Sequence, residues 1–256
     1  MLHYQFNNTN NTETVVFLHG FCENFSIFNN QTQYLKNYFN ILCIDLPGFG
    51  KSQIINNITL PAMANEVSLV LSSLSISKCF MFGHSMGGYA TLAFANQFSP
   101  NLKGFGLIHS TAKKDSFERL AKRKQLINFI QKHGTAPFYK TFFPDLFYNK
   151  ELNKSVIETL INNNLNDKKI GVLEGIKAMM MREENTILLE KTELPVFWGI
   201  GKHDTIIKDL EMFAQAALCK QSEICYLQNS NHMGMIEEAD LLNESILKFV
   251  QRIALN

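Results

Sequence analysis

Short apolar runs, separated by stretches of helical periodicity, dominate both ends of the chain. Thr14-Val15-Val16-Phe17-Leu18 is one such run, closed by His19-Gly20. Ile41-Leu42-Cys43-Ile44 is the next, closed by Asp45 and Pro47-Gly48. Cys79-Phe80-Met81-Phe82 and Gly104 to Ile108 follow, and the type recurs late at Val196 to Ile200 and Ile224 to Leu227. Apolar runs of this length without polar alternation predict strands buried on both faces. Between them, Met63, Val67, Val70, Leu71 and Leu74 recur at helical spacing behind a capping Thr59. Met86 to Phe98, about Ile207 to Leu218, and about Glu237 to Ile253 read as further helices. Tyr4-Gln5-Phe6 predicts a short antiparallel strand at an edge. Strands alternating with helices predict an α/β fold with a mostly parallel sheet flanked by helices.

From about Thr111 to Glu193 the strand–helix rhythm stops. Phe117, Leu120, Ala121, Ile127 and Ile130 space out like one helix face. Val156, Ile157, Leu160, Ile161 and Leu165 form a second, and Val172, Leu173, Ile176, Met179 and Met180 a third. This segment predicts a helical lid over the sheet's carboxyl edge. The expected organisation is a core domain of residues 1–110 and 194–256 with a cap insertion at 111–193.

Composition narrows the setting. The chain has 256 residues, 46% of them hydrophobic, which suits one compact domain with an insertion. Lys and Arg number 24 against 23 Asp and Glu, so a polyanion is not attracted over long range. The basic run Lys113 to Lys124 is broken by Asp115 and Glu118 and reads as a solvated helix face. Five Cys contain no CxxC pair, so a zinc knuckle or dithiol site lacks its basic unit. The N-terminal MLHYQFNNTNN has no cationic segment ahead of an apolar one, and no stretch reaches about 18 apolar residues. A reducing, cytoplasmic setting without a membrane span is expected.

Gly83-His84-Ser85-Met86-Gly87 carries the chemistry. It fits G-x-S-x-G directly after a predicted strand and before a predicted helix, and this context makes the match specific. The tight turn would thrust the serine hydroxyl above the sheet. His84 would point elsewhere and serve structure. A serine hydroxyl needs a base, itself oriented by a third group. Asp204 follows a late strand, and His232 lies between the last strand and the last helix. The chain order Ser, Asp, His places all three beyond the carboxyl ends of parallel strands. Asp209 is an alternative acid and His203 an alternative base. His133 and His3 read as surface residues, and His109 as part of a pocket floor or rim.

Acyl transfer builds negative charge on a carbonyl oxygen, which two backbone N–H groups should meet. The candidates are Met86, after the nucleophile, and Phe21, after His19-Gly20. Gly48-Phe49-Gly50-Lys51-Ser52 looks like the end of a phosphate loop. The full pattern needs glycine where Asp45 stands, and Pro47 removes a backbone donor, so a nucleotide is rejected.

Together, His19-Gly20-Phe21, Asp45-Leu46-Pro47-Gly48-Phe49-Gly50-Lys51-Ser52, Gly83-His84-Ser85-Met86-Gly87-Gly88, Gly201-Lys202-His203-Asp204 and Asn231-His232 resemble the α/β-hydrolase superfamily. The nearest likeness is to its small, lid-bearing serine esterase and C–C bond hydrolase branch. The resemblance implies attack by Ser85, an acyl-enzyme, water activated through His232, Asp204 as acid, and oxyanion donors at Phe21 and Met86. Dehalogenases and epoxide hydrolases of this fold use an aspartate nucleophile, from which Ser85 departs.

The expected activity is hydrolysis of a carboxylic ester of a small apolar acyl or aryl substrate. Alternatives are a C–C bond hydrolase or related lyase with the same residues, and a catalytically silent binding protein. No cofactor is expected, and no spacing of His, Asp or Glu suggests a metal. Phe129, Phe138, Tyr139, Phe142, Phe143 and Phe147 crowd one part of the insertion, and Met179, Met180 and Met181 follow. Rings supply apolar area and methionines adapt to shape. Phe138, Phe142, Phe143 and Phe147 are therefore expected to help line the substrate's entrance.

Overall fold

The computed structural model describes residues 1–165 and 169–255. Seven strands, β1 (Tyr4–Asn7), β2 (Thr14–Leu18), β3 (Asn40–Ile44), β4 (Cys79–His84), β5 (Leu102–Ile108), β6 (Val196–Gly201) and β7 (Ser222–Leu227), form one sheet in the order β1-β3-β2-β4-β5-β6-β7. Among the described residues, only β1 runs antiparallel, pairing Tyr4 with Ile44 through Asn7 with Ile41. Every residue of β2, β3 and β4 is buried. Successive side chains point to opposite faces, so full burial means that both faces are covered.

Helices α1 (Asn29–Leu35), α2 (Leu60–Ser73) and α3 (Met86–Phe98) belong to the first half. The Thr59 hydroxyl caps α2 by accepting from the Ala62 amide. Between β5 and β6 come α4 (Phe117–His133), α5 (Ala136–Asp145), α6 (Lys154–Asn164), α7 (Lys169–Met180) and α8 (Thr186–Lys191). They form the expected helical insertion. α9 (Asp209–Ala216) joins β6 to β7, and α10 (Gly234–Glu237) and α11 (Ala239–Ala254) close the chain. α2 packs on α3, and α1 on α11. Phe249 of α11 meets Phe80, Phe82 and Phe197 of the central strands edge to face. Among the described residues, no helix is long and apolar enough to cross a membrane.

Local differences from the expected elements have physical causes. The polar-looking NNQTQYL forms α1 because Gln31, Thr32 and Leu35 are buried. The Gln31 amide donates to the Met235 carbonyl and the Asn243 side chain. The expected last helix divides where Glu238 leaves helical geometry at φ −133°, ψ 50°. Asp115 is not on a solvated face. It is buried and gathers Arg123 at 2.6 Å and Arg182 at 2.7 Å. Cys43 and Cys79 are buried, which pushes both thiols up to about 12 and makes them poor nucleophiles.

Candidate active site

From Cys79 to Ala95 every residue is buried except Ser85, which is half-buried. It stands between β4 and α3 with φ 49° and ψ −113°, a strained conformation for a residue with a Cβ. Two glycines make the turn possible. A Cβ on Gly83 would lie 2.2 Å from the Gly87 carbonyl oxygen, and one on Gly87 would lie 2.1 Å from that of Leu18. The backbone of Ser85 is held on both sides. Its amide donates to the Ile108 carbonyl at 3.0 Å, and its carbonyl accepts from the Ser110 hydroxyl at 2.8 Å.

Asp204 and His232 meet nearby, both buried. Nδ1 of His232 donates to Oδ2 of Asp204 at 2.8 Å, leaving Nε2 of that ring for other work. Oδ1 of Asp204 accepts from the amides of Ile206 and Ile207, each at 2.8 Å. Burial alone would raise the Asp204 carboxyl, but the charge of His232 and the bonds from His109 and His232 outweigh it. The carboxyl therefore lies well below the usual range.

His84 joins this loop to the elbow. Its Nε2 donates to the His232 carbonyl at 2.9 Å, and its Nδ1 faces Oε2 of Glu23 at 3.0 Å. The same Glu23 oxygen accepts from the Gly20 amide at 2.7 Å. Burial pushes the Glu23 carboxyl up; His84 beside it pulls harder the other way, and its value falls below the ordinary one. One buried carboxylate thus ties the loop after β2 to the residue before Ser85. Neither the Phe21 amide nor the Met86 amide is taken up by an intrachain hydrogen bond among the described residues.

The insertion reaches the same place. Phe138 stacks on Phe142 with centroids 4.8 Å apart, and both rings pack on Phe21, at 6.3 and 6.0 Å. Phe143 and Phe147 are fully buried, and Phe143 packs on Tyr139.

A match to the model of the alpha/beta hydrolase fold spans residues 13–239, most of the chain. The chain belongs to the α/β-hydrolase family. The chain is 26% identical to a thermophilic esterase from Thermogutta terrifontis, with a TM-score of 0.92 over 98% of this chain and 93% of that one. The enol-lactonase from Burkholderia xenovorans LB400 shares the fold with a TM-score of 0.89 at 20% identity, over 98% of this chain and 96% of that one. In sequence, the chain is 24% identical to 3-oxoadipate enol-lactonase 1 of Acinetobacter baylyi, over 98% of this chain and 94% of the relative.

The alternative acid Asp209 and the alternative base His203 have other partners. Asp209 accepts from the Tyr226 hydroxyl at 2.8 Å. His203 lies flat against Tyr148, with centroids 3.9 Å apart. His133 is exposed. His3 is more than a surface residue, since its Nδ1 meets the buried Asp45 at 2.7 Å. From sequence, Glu23 and Glu237 have no place at the site and His109 has only a place in a pocket floor or rim. Glu23 carries no motif of its own, and only the fold brings it beneath Gly20. His109, Asp204 and His232 place three N and O atoms within 4.8 Å of one another, a grouping that their spacing in sequence did not suggest. Here each histidine Nδ1 is a hydrogen-bond partner of Oδ2, so hydrogen bonding accounts for the grouping.

Proposed function

We propose that the chain is a serine hydrolase that cleaves a carboxylic ester of a small apolar acyl or aryl substrate through an acyl-enzyme. The carrying observation is the Asp204–His232 hydrogen bond, held against the Ser85 elbow by His84. In this reading Nε2 of His232 takes the proton from the Ser85 hydroxyl as its oxygen attacks the ester carbonyl. The amides of Phe21 and Met86 receive the charge that develops on the carbonyl oxygen. Collapse breaks the ester bond, and His232 returns the proton to the departing alcohol. Water, deprotonated by the same ring, then hydrolyses the acyl-enzyme and frees Ser85.

Residues 111–193 act as the cap in this proposal. Phe138 and Phe142, seated on Phe21, supply an apolar wall next to the acyl site. Phe143 and Phe147 support that wall from behind. The esterase and lactonase likenesses support an ester or cyclic ester as the bond class. The reading needs no cofactor, and the cytoplasmic setting expected from the sequence belongs to it.

A fluorophosphonate probe tests the chemistry. Intact mass should show one adduct on the wild-type protein and none on a folded Ser85→Ala variant. An adduct on Ser85→Ala, or none on the wild type, would overturn the assignment.

A further inference from the structure

We infer that His109 is a positioning residue for the proposed base: it shares the Asp204 carboxylate oxygen with His232 and limits how strongly that carboxylate holds a protonated His232. The inference rests on the serine-hydrolase reading above and adds a second histidine to it.

Four observations converge on this ring. Nδ1 of His109 lies 3.0 Å from Oδ2 of Asp204, the same oxygen that accepts from Nδ1 of His232 at 2.8 Å. Nε2 of His109 accepts from the Gly234 amide at 3.1 Å. An N–H donor on Nε2 fixes the neutral tautomer, with its proton on Nδ1 pointing at Asp204. His109 also occupies φ 48°, a costly backbone position for a bulky residue in the middle of a protein. Finally, two glycines pack closely against the ring. A Cβ on Gly201 would come within 2.6 Å of Cε1 of His109, and one on Gly234 within 2.5 Å of Nε2. Strain and two close glycines around a fully buried polar ring, both of whose nitrogens are engaged, indicate a position kept for its hydrogen bonds.

The electrostatic consequence has a definite sign. A donor on Oδ2 draws negative charge away from the side of the carboxylate that faces His232. Without it, Asp204 would stabilise the His232 imidazolium more strongly. The base would then hold a proton to higher pH, and the active neutral form would appear later. Burial, opposed by the Asp204 bond and charge, takes His109 itself down to about 4, so it stays a neutral donor through the working range. The other titratable groups facing this pair are His84 and His232, with Glu23 behind His84 and Glu237 behind Asn231. In the Asp204 loop itself, Lys202 is exposed and His203 is stacked on Tyr148.

The test combines kinetics with a direct reading of the ring. His109→Phe keeps ring bulk and removes both hydrogen bonds; His109→Asn keeps a donor near the Nδ1 position. On a simple aryl ester, the acid limb of the kcat/KM–pH profile should move up by roughly half a unit to one unit in His109→Phe. It should stay close to the wild-type position in His109→Asn. In wild-type protein labelled with 15N-histidine, His109 should show the Nδ1–H tautomer at pH 7 and no titration until near pH 4. An unmoved limb in His109→Phe overturns the inference. So does an Nε2–H or charged His109, which decides the matter even if the variants fail to fold. Absence of the phosphonate adduct in wild type would instead remove the serine-hydrolase reading, which separates the two failures.

Discussion

The backbone amide of His232 donates to the carbonyl of Leu146 at 2.9 Å, so the loop of the proposed base is bonded directly to the helical insertion. Further contacts fasten the same strip. The Asn231 side chain donates to the Asp145 carbonyl, and Glu237 accepts from the amides of Tyr148, Asn149 and Asn231. Tyr148 covers His203, beside Asp204. The loops of Asp204 and His232, joined by the Thr205 amide donating to Asn231, and the end of α5 therefore form one connected unit.

Glu237→Ala removes three backbone acceptor contacts from that unit at once. It should lower global stability by about 1 kcal/mol, mostly through the partly buried Asn231 N–H, since the exposed amides of Tyr148 and Asn149 can turn to water. It should also lower kcat/KM on aryl esters by roughly tenfold through looser placement of His232. Urea unfolding and steady-state kinetics check both. Unchanged kinetics in a destabilised variant would show that the strip holds the lid and not the base.

The acid can be assigned by comparing two aspartates. Asp204→Asn should reduce kcat by about 10³ to 10⁴, because an amide no longer fixes the tautomer of His232. Asp209→Asn should leave turnover within a few-fold of wild type, since that carboxylate serves the Tyr226 hydroxyl. The reverse ranking would reject Asp204.

Two neighbouring phenylalanines should behave differently. Phe142 is half-buried and packs on Phe21, so Phe142→Ala should flatten the preference for longer acyl chains. Each methylene that the wall buries is worth about 0.8 kcal/mol before losses. Phe143 is fully buried, and Phe143→Ala should cost about 3–5 kcal/mol of stability as a cavity opens. Matched acetyl to octanoyl esters, with urea midpoints, separate specificity from packing. Equal chain-length profiles for wild type and Phe142→Ala would remove Phe142 from the acyl site.

Stability should depend on pH through the buried histidines. His109 falls from an ordinary 6.5 to about 4 because burial disfavours its charge, and His19 is lowered for the same first cause. Below the unfolded value, the unfolded chain binds protons that the folded chain refuses. Stability is thus complete above about 6.5 and declines toward pH 4, by up to about 1.4 kcal/mol per unit for each such ring. Urea midpoints between pH 7 and 4.5 should show this fall, reduced in His109→Asn. A flat profile would mean that these rings are protonated or exposed in the folded state.

The sequence by itself determined the elements whose signals are local. Continuous apolar runs gave the central strands β2, β3 and β4 their places because burial on both faces excludes polar residues. Gly83 and Gly87 announced the elbow because no side chain fits at either position. Ser85, Asp204 and His232 each follow a parallel strand along the chain, which puts all three beyond the strands' carboxyl ends. Tertiary structure alone decided what depends on contacts between distant segments. It brought Glu23 beneath Gly20 and His84, although nothing around Glu23 in sequence differs from an ordinary loop. It placed His109 on the same carboxylate oxygen as His232, 123 residues apart by their numbers. It also divided the aromatic cluster into Phe138 and Phe142 facing Phe21, and Phe143 buried behind them. Hydrophobicity is the same for all these rings, and only the direction in which α5 presents each of them separates the pair on Phe21 from the fully buried Phe143.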